Sequence, residues 1–325
     1  MNTNMEYKGF FARIMETDRL IGDQVYGLPP GIALPVYYAD AFLNIPSFWC
    51  RGPGVFIVPV RPNKGLWFDW CQNSEINTAV IPTVKGCNPI TGMQTSGFHL
   101  ERYDEICPKH GCAFLAERFC PECNYKWPSQ SYCTGAPLWW DGWFNPLDGT
   151  VRQFFFSDDE LRDVASYRIG RENTMPAFGF AFYSPKERRQ EIKPISYTFV
   201  QNNPNFYHEL PKIYYTNSTA ICGGLNASYA CAAASSYSCS DIKVRETKSE
   251  IRLNSVTPDV SIGAGAKIQQ KLIADSYSLD SWKDTPDAVM TIYFVFQDQF
   301  EEIKAGGMRD LTGLREGILD SIPIG

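Results

Sequence analysis

Three histidines, His99, His110 and His208, are all that the 325 residues contain. Histidine is the side chain whose ordinary pKa suits proton transfer near neutral pH, so so few of them leave little room for imidazole acid–base chemistry. His99 and His208 stand in no nucleophile motif and read as structural or exposed. The chain also has no G-x-S-x-G elbow, no P-loop and no G-x-G-x-x-G opening a helix, which removes the usual signatures of esterase, nucleotide and dinucleotide sites. The balance leans away from an enzyme.

An excess of positive charge is missing too. With a net charge of -6 and a pI near 5.2, the chain lacks the basic face that releases counterions from phosphates, so nucleic acid is an unlikely partner. The densest basic run, Lys186, Arg188 and Arg189, alternates with Glu187 and Glu191 and reads as a solvated turn. No stretch approaches the roughly 18 apolar residues of a spanning helix, and Met1 to Phe11 is too polar for a signal peptide. The expectation is a cytoplasmic protein with no membrane partner, in which the N-x-S/T matches at Asn217 and Asn226 are incidental. Eleven cysteines, an odd number, fit reduced thiols and a metal site better than a disulfide framework.

What the sequence does have is aromatic side chains, 14% of all residues, spread through short β-like runs cut by Gly, Pro and Asn. Residues 32–38, 54–60, 66–70 and 78–84 are four such runs, and the prolines inside them, Pro35, Pro59 and Pro82, predict edges, bulges or breaks there. Residues 138–144 and 150–156 form a hairpin across Asn145, Pro146, Asp148 and Gly149. Ser157 and Glu160 open a short helix that Gly170 closes. In 177–183, Phe178, Phe180 and Phe182 share the core face and Gly179 lies on a face that admits a close neighbour. Residues 241–245 and 250–253 read as a further hairpin with a wet outer face. In 260–268 an apolar face backs a small, flat face of Ser261, Gly263, Gly265 and Lys267, which requires a cover. The strand 289–296 is apolar on both faces, hence central, with Ile292, Phe294 and Phe296 in the core; a short helix capped by Asp298 and Glu301 follows, ending at Gly306 and Gly307. The uncharged run 222–240 is compatible with helix, flat strand or packed loop. The predicted fold is mainly β, a β-rich α+β protein with a sheet or sandwich-like body and a few short helices. Its regions are an N-terminal β-rich part (1–100), a cysteine-rich insert (101–135) and a C-terminal β-rich part (136–325).

The insert carries the one motif with chemical force. Cys107-Pro-Lys-His110-Gly and Cys120-Pro-Glu-Cys123-Asn repeat one short turn, in which two ligands point into one site, proline stiffens the bend, and Gly or Asn accepts the left-handed conformation that follows. Together they supply the four donors of a closed tetrahedral centre. The segment from Cys107 to Asn124 resembles the knuckles of zinc-ribbon and rubredoxin-like sites. This predicts a structural zinc ion on Cys107, His110, Cys120 and Cys123, with Cys112 as an alternative to His110 and iron as an alternative metal. A closed site leaves no coordination position for water, so its role is to hold a small lobe together, with Tyr125, Trp127 and Tyr132 packing that lobe on the body.

Two tryptophan groups invite a glycan-binding reading, Trp139, Trp140, Asp141 and Trp143 in one and Trp67, Asp69 and Trp70 in the other. Strand alternation sends Trp139 and Trp143 one way and Trp140 the other, so part of the first group is core. Cys50, Cys71 and Cys87 read as small buried hydrophobes, and Cys222, Cys231 and Cys239 lack knuckle spacing. The resulting expectation is a non-enzymatic structural or interaction protein that assembles with itself, as in a filament, shell, virion part or inclusion. A carbohydrate-binding protein or glycan-directed enzyme is the alternative.

Overall fold

Rings that alternate with small residues along a strand can fill one side of a sheet and leave the other flat, and two such sheets bury their rings against each other. The computed structural model follows that logic over residues 2–47, 49–95, 97–159, 177–186 and 260–309, the part described below. In chain order the strands are β1 (Met5–Tyr7), β2 (Phe10–Asp18), β3 (Val25–Tyr26), β4 (Ile32–Ala33), β5 (Tyr37–Tyr38), β6 (Val55–Val60) and β7 (Lys64–Asp69). Next come β8 (Ala79–Val84), β9 (Cys87–Asn88), β10 (Met93–Gln94), β11 (Phe119–Cys120), β12 (Tyr125–Lys126), β13 (Trp139–Trp140) and β14 (Gly142–Asn145). The series closes with β15 (Thr150–Ser157), β16 (Ala177–Tyr183), β17 (Ser261–Ile268), β18 (Ala288–Phe296) and the helix α1 (Gln297–Ala305).

The fold is mainly β. A 9-stranded sheet runs β1-β2-β7-β15-β17-β3, with β13, β14 and β4 on its flanks, and a 7-stranded sheet runs β10-β9-β8-β16-β18-β6-β5. Phe178, Phe180 and Phe182 of the second sheet lie in one core with Phe68, Phe154 and Phe156 of the first. Across the interface the Phe68 and Phe180 ring centres are 5.0 Å apart, those of Trp70 and Phe180 5.1 Å, and those of Phe156 and Phe294 5.0 Å. Ile292, Phe294 and Phe296 belong to the same core, and β18 is central as expected, antiparallel to β16 and parallel to β6. Strands from before and after the cysteine-rich insert interleave in both sheets, so the two β-rich regions build one body.

β6 runs through Pro59 in unbroken register with Val295 of β18, whereas Pro82 and Pro35 sit where a missing N–H costs no ladder bond. Pro82 pairs with Phe180 of β16, while its neighbour but one, Val80, exchanges hydrogen bonds with Cys133 on the opposite side, 2.8 and 2.9 Å. Alternation therefore turns the Pro82 nitrogen toward that opposite side, between the Val80–Cys133 bridge and the Val84–Cys87 pair, where no strand of the described residues reaches it. Pro35 lies in the gap between β4 and β5, the break predicted for that run.

One expectation finds its answer and two are corrected. The small face of β17 is covered from within the chain: a side chain at Gly263 would collide with the Phe155 ring, which lies on it with the Arg19 guanidinium 3.8 Å from the ring centre. The helix α1 is opened by Gln299 rather than by Asp298 and Glu301, since the Phe296 N–H donates to Gln299 Oε1 at 3.2 Å. Gly306 and Gly307 do end it, Gly307 at a φ of 102°. Cys50 is exposed, with its N–H donating to the Tyr293 hydroxyl at 2.9 Å; Cys71 is half-buried and Cys87 buried. The helix expected from Glu160 to Gly170, the hairpin 241–253, the run 222–240, His208, Cys222, Cys231 and Cys239 lie outside the described residues. Among the described residues no helix is long and apolar enough to cross a membrane.

Candidate metal centre

Residues 101–103 pair with 129–131 where the chain enters and leaves the insert. Tyr103 N–H donates to Ser129 O (2.9 Å), Ser131 N–H to Glu101 O (3.0 Å), and Arg102 bridges to Gln130. Beyond this pairing, Ile106 pairs with Ala113 and the Cys107 N–H donates to Cys112 O at 2.8 Å, which closes the first loop. Inside it the Gly111 N–H returns to Cys107 O at 2.7 Å with Gly111 at a φ of 66°. The second turn repeats this geometry between β11 and β12: Asn124 N–H donates to Cys120 O at 3.0 Å, and Asn124 has a φ of 56°. These are the positions at which Gly and Asn tolerate the left-handed region best.

The two turns face each other and bring their donor atoms together, with the four ligand atoms of Cys107, His110, Cys120 and Cys123 all within 4.8 Å of one another. Cys107 Sγ is 3.9 Å from His110 Nδ1 and 4.0 Å from Cys123 Sγ, and Cys120 Sγ is 3.6 Å from His110 Nδ1. A tetrahedral ion with thiolate bonds of about 2.3 Å and imidazole bonds of about 2.0–2.1 Å spans edges of about 3.8 Å between sulfurs and about 3.5 Å between sulfur and nitrogen. These three separations lie within a few tenths of an ångström of those edges, and the cluster could hold a metal ion. Cys107 and Cys120 are buried, Cys123 is half-buried and His110 is exposed. Burial pushes the Cys120 thiol up, but the Cys123 N–H, His110 and the neighbouring thiols outweigh it and bring the group down to about 5, the direction that favours a thiolate ligand. Burial raises Cys107, against the N–H groups of Lys109 and His110. Cys112 stands beside the cluster with its Sγ 3.4 Å from Cys120 Sγ.

Around the cysteines the lobe has a small core of its own, Tyr103, Cys107, Cys120 and Trp127, with Tyr125 and Phe114 against it. Tyr103 and Trp127 meet edge to face at 5.2 Å. The loop between the knuckles turns back through Glu117 and Arg118, both left-handed at φ 55° and 60°, and Leu115 N–H donates to Phe119 O at 2.7 Å. Arg118 secures this bend, donating to Trp127 O at 3.1 Å and Asp104 O at 3.0 Å with its guanidinium over the Phe114 ring. Sequence reasoning gave Arg118 no role, because nothing local marks two successive left-handed residues without glycine. Of the aromatic trio expected to join lobe and body, Tyr125 and Trp127 stay with the lobe. Tyr132 belongs to the body, where its hydroxyl donates to Asp275 at 2.7 Å.

The tryptophan groups are divided by burial. Trp70, Trp140 and Trp143 are core, whereas Trp67 and Trp139 are half-buried. Asp141 falls between β13 and β14 and shifts the alternation by one, so Trp140 and Trp143 point the same way, contrary to the simple strand pattern. Asp141 itself is only 1% exposed and neither oxygen meets a donor among the described residues, so it is not a sugar contact. Burial raises its carboxyl to about 7. His99 is exposed, and its carbonyl accepts from Ser131 at 3.3 Å. Comparison with protein-family models, with curated proteins and with solved structures gave no match. Fold and site thus define a mainly β protein with a candidate Cys3His metal centre.

Proposed function

We propose that this is a non-enzymatic structural or interaction protein in which one zinc ion, held by Cys107, His110, Cys120 and Cys123, fixes a small projecting lobe on a β-sandwich. The observation that carries this reading is the donor set: Cys107, His110, Cys120 and Cys123 bring four donor atoms within 4.8 Å of one another, and an ion held by all four would have no position left at which water or substrate could be activated. Three thiolates with one imidazole favour zinc over harder cations. Elemental analysis of protein prepared without chelators should give one zinc per chain; iron in its place, or no metal, would overturn the assignment.

Self-association is part of the proposal. The stretch from the end of β2 into β4 exposes Ile21, Val25 and Ile32 at 77%, 59% and 79%, side chains that a partner surface would cover. Size-exclusion chromatography followed by negative-stain microscopy should show assemblies, and a monomer at all concentrations would remove this part alone. The second reading, glycan binding, is supported by the outer face of the larger sheet. There Trp67, Asp69 and Trp139 share a side with Arg13, which pairs with Asp69. Loss of intrinsic tryptophan fluorescence change on a glycan panel when Trp139→Ala is made would support it; no response to any glycan would dismiss it.

A further inference from the structure

The donor cluster holds one sulfur more than a tetrahedral centre needs. Cys112 Sγ approaches Cys120 Sγ to 3.4 Å, closer than Cys107 Sγ comes to His110 Nδ1 or Cys123 Sγ and closer than Cys120 Sγ comes to His110 Nδ1, and it is partly exposed where Cys120 is buried. The placement is enforced by the backbone, since the Cys107 N–H holds Cys112 O at 2.8 Å and the Ile106–Ala113 bridge fixes the strand on either side. A partly exposed thiol outside the ligand set and touching a ligand sulfur has the geometry to form a disulfide with that ligand once it is oxidised.

Building on the zinc reading, we propose that Cys112 is the sensing thiol of a peroxide switch that releases the metal by joining Cys112 to Cys120. In the first step the Cys112 sulfur attacks one oxygen of hydrogen peroxide: an S–O bond forms, the O–O bond breaks, and the departing hydroxide takes the thiol proton and leaves as water. In the second step the Cys120 thiolate, leaving the metal, attacks Cys112 Sγ. The S–S bond forms, the S–O bond breaks, and the hydroxide released takes up a proton as water. Two thiols are oxidised to one disulfide and one peroxide is reduced to two waters. The metal is left with Cys107, His110 and Cys123, an incomplete set from which it is lost, and a thiol reductant restores the centre.

The test uses the full chain as isolated, its zinc content first measured, then treated with hydrogen peroxide in the presence of a chromophoric zinc chelator. Peptide mapping after differential alkylation follows the cysteines in parallel. Wild type should release zinc together with a Cys112–Cys120 disulfide, both reversed by dithiothreitol. Cys112→Ser should keep one zinc per chain and release it at least tenfold more slowly. Release from Cys112→Ser at the wild-type rate, or disulfides mapping only among Cys107, Cys120 and Cys123, would overturn the switch. A Cys112→Ser protein that binds no zinc would also overturn it, by making Cys112 a ligand. Wild type without any metal would instead refute the zinc reading itself.

Discussion

Phe180 and Cys120 are both fully withdrawn from solvent, yet what keeps each one in place differs. Phe180 sits among rings from two sheets, Phe68, Trp70 and Phe182, in a core that runs through strands far apart in sequence. Cys120 sits in a lobe whose own core has four buried residues, two of them cysteines of the donor set. The body buries enough apolar surface to hold itself, whereas the lobe is of the size at which the proposed metal would supply the missing free energy. The difference separates a body held by ring packing from a lobe whose proposed support is a metal, and the two should respond to different substitutions.

The largest effect is expected at the centre. Cys120→Ser should abolish zinc retention, removing an interaction on the order of 10 kcal/mol, while Cys112→Ser keeps the metal; mass spectrometry under native conditions reads both. Equal loss in the two variants would move Cys112 into the ligand set. On the other side, Phe180→Ala should destabilise the sandwich by about 3–5 kcal/mol in chemical denaturation and leave zinc content unchanged. A variant as stable as wild type would mean that the rings around Phe180 do not form the core described here.

The buried Asp141 sharpens the account of the body through pH. Its folded-state carboxyl is raised to about 7 from 3.8 by burial. Between those values the folded chain keeps a proton that the unfolded chain has given up, so stability falls as pH rises through this window and levels off above it. The total loss is up to about 4 kcal/mol. Asp141→Asn should flatten that slope and be the more stable protein at pH 8; an unchanged slope in urea midpoints across pH 4–8 would assign it to other groups. The smallest effect belongs to the second knuckle. Asn124→Ala places a less tolerant residue at a φ of 56° and should weaken zinc binding by about 1 kcal/mol, with Asn124→Gly close to neutral, as measured by chelator competition.

Much of this was legible along the chain, for physical reasons that differ by region. The phenylalanine alternation in β16 and the apolar run of β18 are local patterns with a fixed geometric meaning, so the core face and the central strand followed from them. The knuckles were legible because the left-handed residue, the proline and the two donors all fall within five positions. What depends on distant partners was not legible. The flat face of β17 asked for a cover, but that Phe155 and Arg19 supply it rests on the β15–β17 pairing, which joins residues more than a hundred positions apart. The phase shift at Asp141 was hidden for the same reason: an acidic residue between tryptophans looks like a surface contact until the segment carrying Gln270 is laid over it, with Gln270 Oε1 accepting the Asp141 N–H at 3.1 Å. The parallel pairing of β6 with β18 likewise has no signature in either segment.

The division between lobe and body is tested most directly by hydrogen–deuterium exchange on the full chain before and after zinc is removed with a strong chelator. Amides across 103–127 should lose protection on chelation, including those of Gly111 and Asn124 that close the two knuckles, while β8, β16 and β18 keep theirs. Unchanged protection in the lobe, or loss that spreads through the sandwich strands, would contradict that division.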